Sequence, residues 1–296
     1  MPGPVWHVLF GREVHGALPE EAQLAVKNEW NAYLWGLQGG DLYYYPSQVR
    51  EGYSLNSLGL SFHLLKTNEM FEQMCQYIGA LRNTNEQAYR MLRAYGMGFL
   101  CHYCLDASIH SYVFPMEKQF CQEHPDYSRE KDGNLHYRFE EGCAWLIYQI
   151  KRRPEDSMER MMSAYVMPAD LERALEEFYR VLSMQLYQID ASVEPFSLCI
   201  ASAYKAFSSR PKESDIPVED VLNLQGRPWE IFDSPGEYLQ DTVLSLHQQA
   251  VDRAVMLGSL FYNCCNENKP FDANIDRNHS YWKYEDPTWF RRMYNF

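Results

Sequence analysis

Between Gly98 and His110 the chain reads Gly-Phe-Leu-Cys-His-Tyr-Cys-Leu-Asp-Ala-Ser-Ile-His, so His102, Asp106 and His110 follow one another at four-residue steps. Residues four apart share a face of an α-helix, and these side chains therefore line one stripe. His136 and Glu140 repeat the same step further on. Imidazole and carboxylate groups together suit zinc and related divalent ions. Upstream, His7, Asp41 and His63 sit among apolar neighbours and join the candidate ligands.

Each of these residues has a plainer explanation when taken alone. A single histidine on an apolar helix face is commonly a hydrogen-bonded core residue, and Asp41 could simply close a loop. Their co-occurrence on two helices favours a metal site. Competing motifs are missing: there is no His-Glu-x-x-His, no adjacent His-Asp pair, no Gly-x-Ser-x-Gly and no phosphate-cradling glycine loop. Cys101 and Cys104 form a Cys-x-x-Cys pair around His102, but no second cysteine pair completes a four-sulfur site. Both thiols point away from the His102–Asp106–His110 stripe, so core packing is the expectation for them. Tyr43-Tyr44-Tyr45 walls a substrate cleft or is buried aromatic packing, and the sequence favours neither. Trp282, Trp289 and Phe290 mark a partner surface or, as expected here, pack the tail onto the helices.

The elements that must position these groups read as helices throughout. Apolar spacing, caps and breakers place helices over about 19–37, from His63 towards Gly79, and over 87–110, 135–150, 168–189, 195–208 and 238–264. Pro115, Pro125 and Gly133 mark a long polar connection, and residues 209–237 read as an irregular excursion over the surface. No alternating stretch supports a sheet, and no linker or repeat divides the chain. The expectation is a single all-α domain spanning residues 1–296.

With 296 residues, 46% hydrophobic and 15% aromatic, the chain can bury a large core. A net charge of −13 argues against electrostatic grip on a phosphate backbone, so nucleic acid is not an expected partner. The first ten residues lack a basic region followed by an apolar run, and no stretch is long enough to span a bilayer. The expected location is the cytoplasm, where the eight cysteines would be mostly reduced.

The order Gly-Gly-Asp41, His63, Gly-x-x-x-His102-x-x-x-Asp106-x-x-x-His110, His136-x-x-x-Glu140 resembles the zinc-dependent phospholipases C. It is more closely similar to their intracellular bacterial relatives, which begin with a short Met-Pro segment and an early histidine. Fungal single-strand nucleases share that fold. The resemblance implies an all-helical protein with three zinc ions in a cleft and phosphodiester hydrolysis by zinc-activated water. Asp41, His63, His102 and Asp106 would then hold one zinc and His110, His136 and Glu140 a second. Asp106 would reach towards a third, for which His7 is the protein-side group. Asp41 would be ligand and catalytic base. Partners would be a phosphate-ester small molecule or a phospholipid headgroup.

Two departures qualify this. In the secreted enzymes the mature chain begins with a tryptophan whose free amine and carbonyl bind the third zinc, whereas Trp6 lies inside this chain. The expectation is therefore two or three zinc ions. Those enzymes also place an aromatic directly after the loop aspartate, where this chain has Leu42, with Tyr43 one step on. Choline recognition is not implied. The rival from another class is a non-catalytic metal-binding or scaffold protein that keeps the helices. Catalytic zinc keeps a position open for water and structural zinc is closed by four protein ligands; mixed His/Asp/Glu sets favour the former.

Overall fold

A computed structural model describes residues 3–124, 135–208, 218–231, 236–273 and 275 of the chain. The first part comprises α1 (Pro4–Ala17), α2 (Glu20–Asn28), α3 (Trp30–Gly36), α4 (Asn56–Leu64), α5 (Thr67–Leu81) and α6 (Glu86–Glu123). It continues through α7 (Leu135–Lys151), α8 (Met158–Ser163), α9 (Ala169–Tyr187), α10 (Phe196–Phe207) and α11 (Val243–Glu267). The all-α expectation holds, with one small exception. Trp229–Glu230 and Tyr238–Leu239 form a two-residue antiparallel pair, Trp229 opposite Leu239, where no strand was expected.

The 38-residue α6 is the axis of the molecule. At 1.5 Å per residue it is about 57 Å long. Asn85 caps its start by accepting a hydrogen bond from the Ala88 amide. From Ala94 to Pro115 every side chain is buried, as expected of a helix covered on all sides. α1, α3, α5, α7, α9 and α11 all pack on it. The backbones of α3 and α6 come very close. A Cβ on Gly36 would lie 2.1 Å from the Tyr95 carbonyl oxygen, and one on Gly98 would lie 2.2 Å from that of Tyr33. Only glycine on both sides lets the backbones meet, one turn before His102.

Several element boundaries differ from the sequence expectation. Residues 19–37 are two helices, broken at Glu29. The helix holding His63 ends at Leu64, and α5 starts anew after Lys66, whose φ is +52°. Contacts from the end of α9 hold that break: Lys66 Nζ donates to the Leu186 carbonyl at 2.8 Å, and Tyr187 Oη donates to that of Leu65 at 2.9 Å. α6 runs through Pro115 to Glu123, so the polar connection begins later than expected. Its core, 125–134, lies outside the described residues, as do Trp282, Trp289 and Phe290. The last helix begins at Val243, capped by Thr242. Of the excursion expected over 209–237, the described part is not confined to the surface. Val221, Leu222 and Trp229 are buried in the core.

No helix among the described residues is long and apolar enough to cross a membrane. All eight cysteines are free thiols. Cys101 and Cys104 are buried as expected of core residues. Burial pushes the Cys101 thiol up to about 12, though the Tyr33 hydroxyl, 3.3 Å from its sulfur, works the other way.

Candidate metal centre

Five elements deliver the predicted ligands. α1 carries His7, the 3₁₀ turn Gly39–Tyr43 carries Asp41, and α4 carries His63 near its end. α6 contributes His102, Asp106 and His110, and α7 contributes His136 and Glu140. The folded chain gathers them into two groups. Ligand atoms of Asp41, His63, His102 and Asp106 all lie within 4.8 Å of one another, and so do those of His110, His136 and Glu140.

In the first group the ring nitrogens have assigned tasks. His102 Nδ1 is 3.2 Å from the Leu37 carbonyl oxygen and His63 Nδ1 is 2.7 Å from that of Gly59. A carbonyl only accepts, so each Nδ1 carries a proton, and each ring in its neutral form turns a lone pair on Nε2 inward. Those two Nε2 atoms are 3.1 Å apart. His63 Nε2 is also 3.0 Å from Asp41 Oδ1, and His102 Nε2 is 3.6 Å from Asp106 Oδ2. Asp41 Oδ1 and both Asp106 oxygens are buried without a hydrogen bond.

Four groups that offer electron pairs thus converge in a space from which water is largely excluded. A divalent cation fits that set, because it supplies the positive charge that every one of them faces. A proton is the partial substitute. Burial opposes charge on His63, yet Asp41 and Asp106 together raise its pKa above the usual value. His102 goes the other way, lowered chiefly by burial. For Asp41, burial raises the pKa, with the like charge of Asp106 adding to it against the pull of His63. Asp106 is also opposed by burial, but His102, His7 and His110 around it bring its carboxyl below the ordinary range.

His7 belongs beside this group. Its ring stacks on His102 with centroids 4.5 Å apart, and its Nε2 is 3.4 Å from Asp106 Oδ1. Neither of its ring nitrogens has a hydrogen-bond partner although the residue is buried. Trp6, its neighbour, is turned elsewhere. Its amide donates to the carbonyl of Gly3, the residue before α1, and its indole Nε1 donates to His247 Nδ1 at 3.0 Å.

In the second group Glu140 Oε1 lies 2.8 Å from His110 Nε2 and 2.9 Å from His136 Nε2. Burial opposes its charge, but the neighbouring positive and hydrogen-bonding groups hold it well below the usual carboxylate range. Burial lowers His110, while Glu140 and Glu117 raise His136 against the same burial.

The tyrosine run divides. Tyr43 and Tyr45 are buried in aromatic packing, whereas Tyr44 is half-buried and stacks on the His63 ring at 5.3 Å. Leu42 is fully buried, so no aromatic stands directly after Asp41.

Two participants escaped the sequence reading. Glu117 accepts from His136 Nδ1 at 3.1 Å, and its spacing of seven from His110 was the available signal. His247 carries no spacing signal at all.

Fold and site define an all-helical protein with two neighbouring His/carboxylate groups able to hold metal ions. That description fits one group closely. Residues 6–189, from the turn of α1 that carries His7 to the end of α9, match the zinc-dependent phospholipase C family, and the chain belongs to it. No curated protein and no solved structure matches the chain. Zinc is therefore the ion that the family and both ligand groups point to.

Proposed function

We propose that this protein is a zinc-dependent phosphoric ester hydrolase that cleaves a phosphodiester, in the manner of a phospholipase C. The observation that carries the reading is the pairing of ligand groups through α6. Asp106 faces the first group and His110, one helical turn on, faces the second. The two groups are therefore neighbours along α6, as two cations acting on one phosphate would require. When bound, zinc supplies Lewis acidity, neutralising phosphate charge and lowering the pKa of water to about 7.

The residues divide the work. Asp41, His63, His102 and Asp106 would hold one ion and His110, His136 and Glu140 another. His7, beside Asp106, is the group for a third. Asp41 would double as the base that takes the proton of the attacking water. The substrate we favour is a phosphate-ester small molecule or a phospholipid headgroup. The net charge of −13 weighs against nucleic acid. A reducing cytoplasm suits eight free thiols.

The test is to purify the chain without chelator, measure metal per chain, and assay bis-nitrophenyl phosphate hydrolysis on the same sample. Two or three zinc ions with chelator-sensitive turnover support the reading. Bound zinc without turnover on phosphate mono- and diesters would move the protein to the non-catalytic, metal-binding class.

A further inference from the structure

Glu117 belongs to neither ligand group, yet it is only 4% exposed, a rare place for a carboxylate. It stands on α6 seven residues past His110, on the same helix face. Its Oε2 is 3.1 Å from His136 Nδ1. The opposite nitrogen of that ring, Nε2, faces Glu140 Oε1 at 2.9 Å. The imidazole is therefore gripped from behind by one carboxylate while it points at the other.

We infer that Glu117 is a positioning residue of the second metal site. It fixes His136 in the tautomer with the proton on Nδ1, so that Nε2 is turned toward Glu140. The inference rests on the reading of His110, His136 and Glu140 as ligands. A carboxylate behind a ligating imidazole raises its basicity and fixes its orientation, and its loss typically costs ten- to a hundredfold in metal affinity.

The experiment uses the full chain, zinc and a chromogenic chelator in competition, with imidazole nitrogen NMR on the same samples. Glu117→Gln keeps an acceptor for His136 Nδ1 and removes the charge; Glu117→Ala removes both. Wild type should bind at least two zinc ions. In Glu117→Gln one of them should weaken by about tenfold, with the other unchanged and the Nδ1–H signature of His136 retained. Glu117→Ala should weaken the same ion further and lose that signature. Should Glu117→Ala fail to fold, the near-isosteric Gln variant decides alone. Unchanged affinity in the variants, or equal weakening of both ions, would overturn the inference and leave the metal centre standing. A wild-type chain that binds no zinc would instead remove the metal reading, and the inference with it.

Discussion

The His102 imidazole occupies the space that a side chain on Gly39 would need. A Cβ there would lie 2.1 Å from His102 Cδ2, and Gly39 has a φ of +49°. The turn that presents Asp41 and the ring that faces it are thus mutually dependent. Tyr179 Oη, which also bonds Tyr95, donates to the Gly39 carbonyl at 3.3 Å and holds the turn from the α9 side. Gly39→Ala should cost about 1–3 kcal/mol from backbone strain alone, and displacing the ring should abolish tight zinc binding in the first group. Denaturant melts with metal analysis check this. A variant of wild-type stability that keeps all its zinc would show that the turn is not constrained in this way.

Asp106 is the residue that the most imidazoles face. Its oxygens lie 3.4 Å from His7 Nε2, 3.6 Å from His63 Nε2 and 3.6 Å from His102 Nε2. Asp106→Ala should abolish tight metal binding while leaving most of the helix content. Zinc should raise the wild-type melting point, because a ligand that binds only the folded chain adds about 2.7 kcal/mol at one hundred times its Kd. The variant's melting point should respond far less. Full metal content in Asp106→Ala, by elemental analysis after dialysis, would sink the ligand assignment.

Much of the site was legible because helical spacing is local. The four-residue steps from His102 to His110 and from His136 to Glu140 survive folding unchanged. Asp41, His63 and His7 came from order and resemblance, and the fold brings each to the centre. What escaped depended on distant contacts. Pro115 reads as a helix end, yet α6 continues through it to Glu123, with Val113, Phe114 and Phe120 buried around it. Glu117 was lost with that misplaced end. The break at Leu65 and Lys66 has no glycine or proline to announce it, since Lys66 and Tyr187 impose it from α9. His247 gains meaning only beside Trp6 and Glu13, both more than two hundred residues away in sequence.

That second pair gives a test of how Trp6 is used. The indole donates to His247 Nδ1, so His247 carries its proton on Nε2 and passes it as a hydrogen bond to Glu13 Oε2 at 3.0 Å. Burial lowers the pKa of His247 and favours this neutral form. Trp6→Phe leaves the buried Nδ1 without a donor and should destabilise the fold by about 1–3 kcal/mol. Zinc per chain should not change. A variant that folds with normal stability, or that loses one zinc equivalent, would contradict the anchoring role.

A pH dependence separates folding from metal chemistry. Asp156, in the turn before α8, accepts from Arg12 Nη1 at 2.8 Å and from the Arg153 amide at 3.2 Å, tying α1 to the end of α7. Burial alone would raise its pKa, but the Arg12 bond, the Arg153 amide and the two positive charges lower it overall. A carboxyl depressed in the folded state stabilises it fully above the unfolded pKa of about 3.9 and loses that contribution as pH falls through the lower folded value. Asp156→Asn should therefore be less stable than wild type by about 1 kcal/mol at neutral pH. The gap should hold down to about pH 5 and narrow below about pH 4. Urea melts of chelator-treated wild type and variant across that range measure the gap without a contribution from zinc binding. A gap that widens in acid would mean that Asp156 is not held ionised by Arg12.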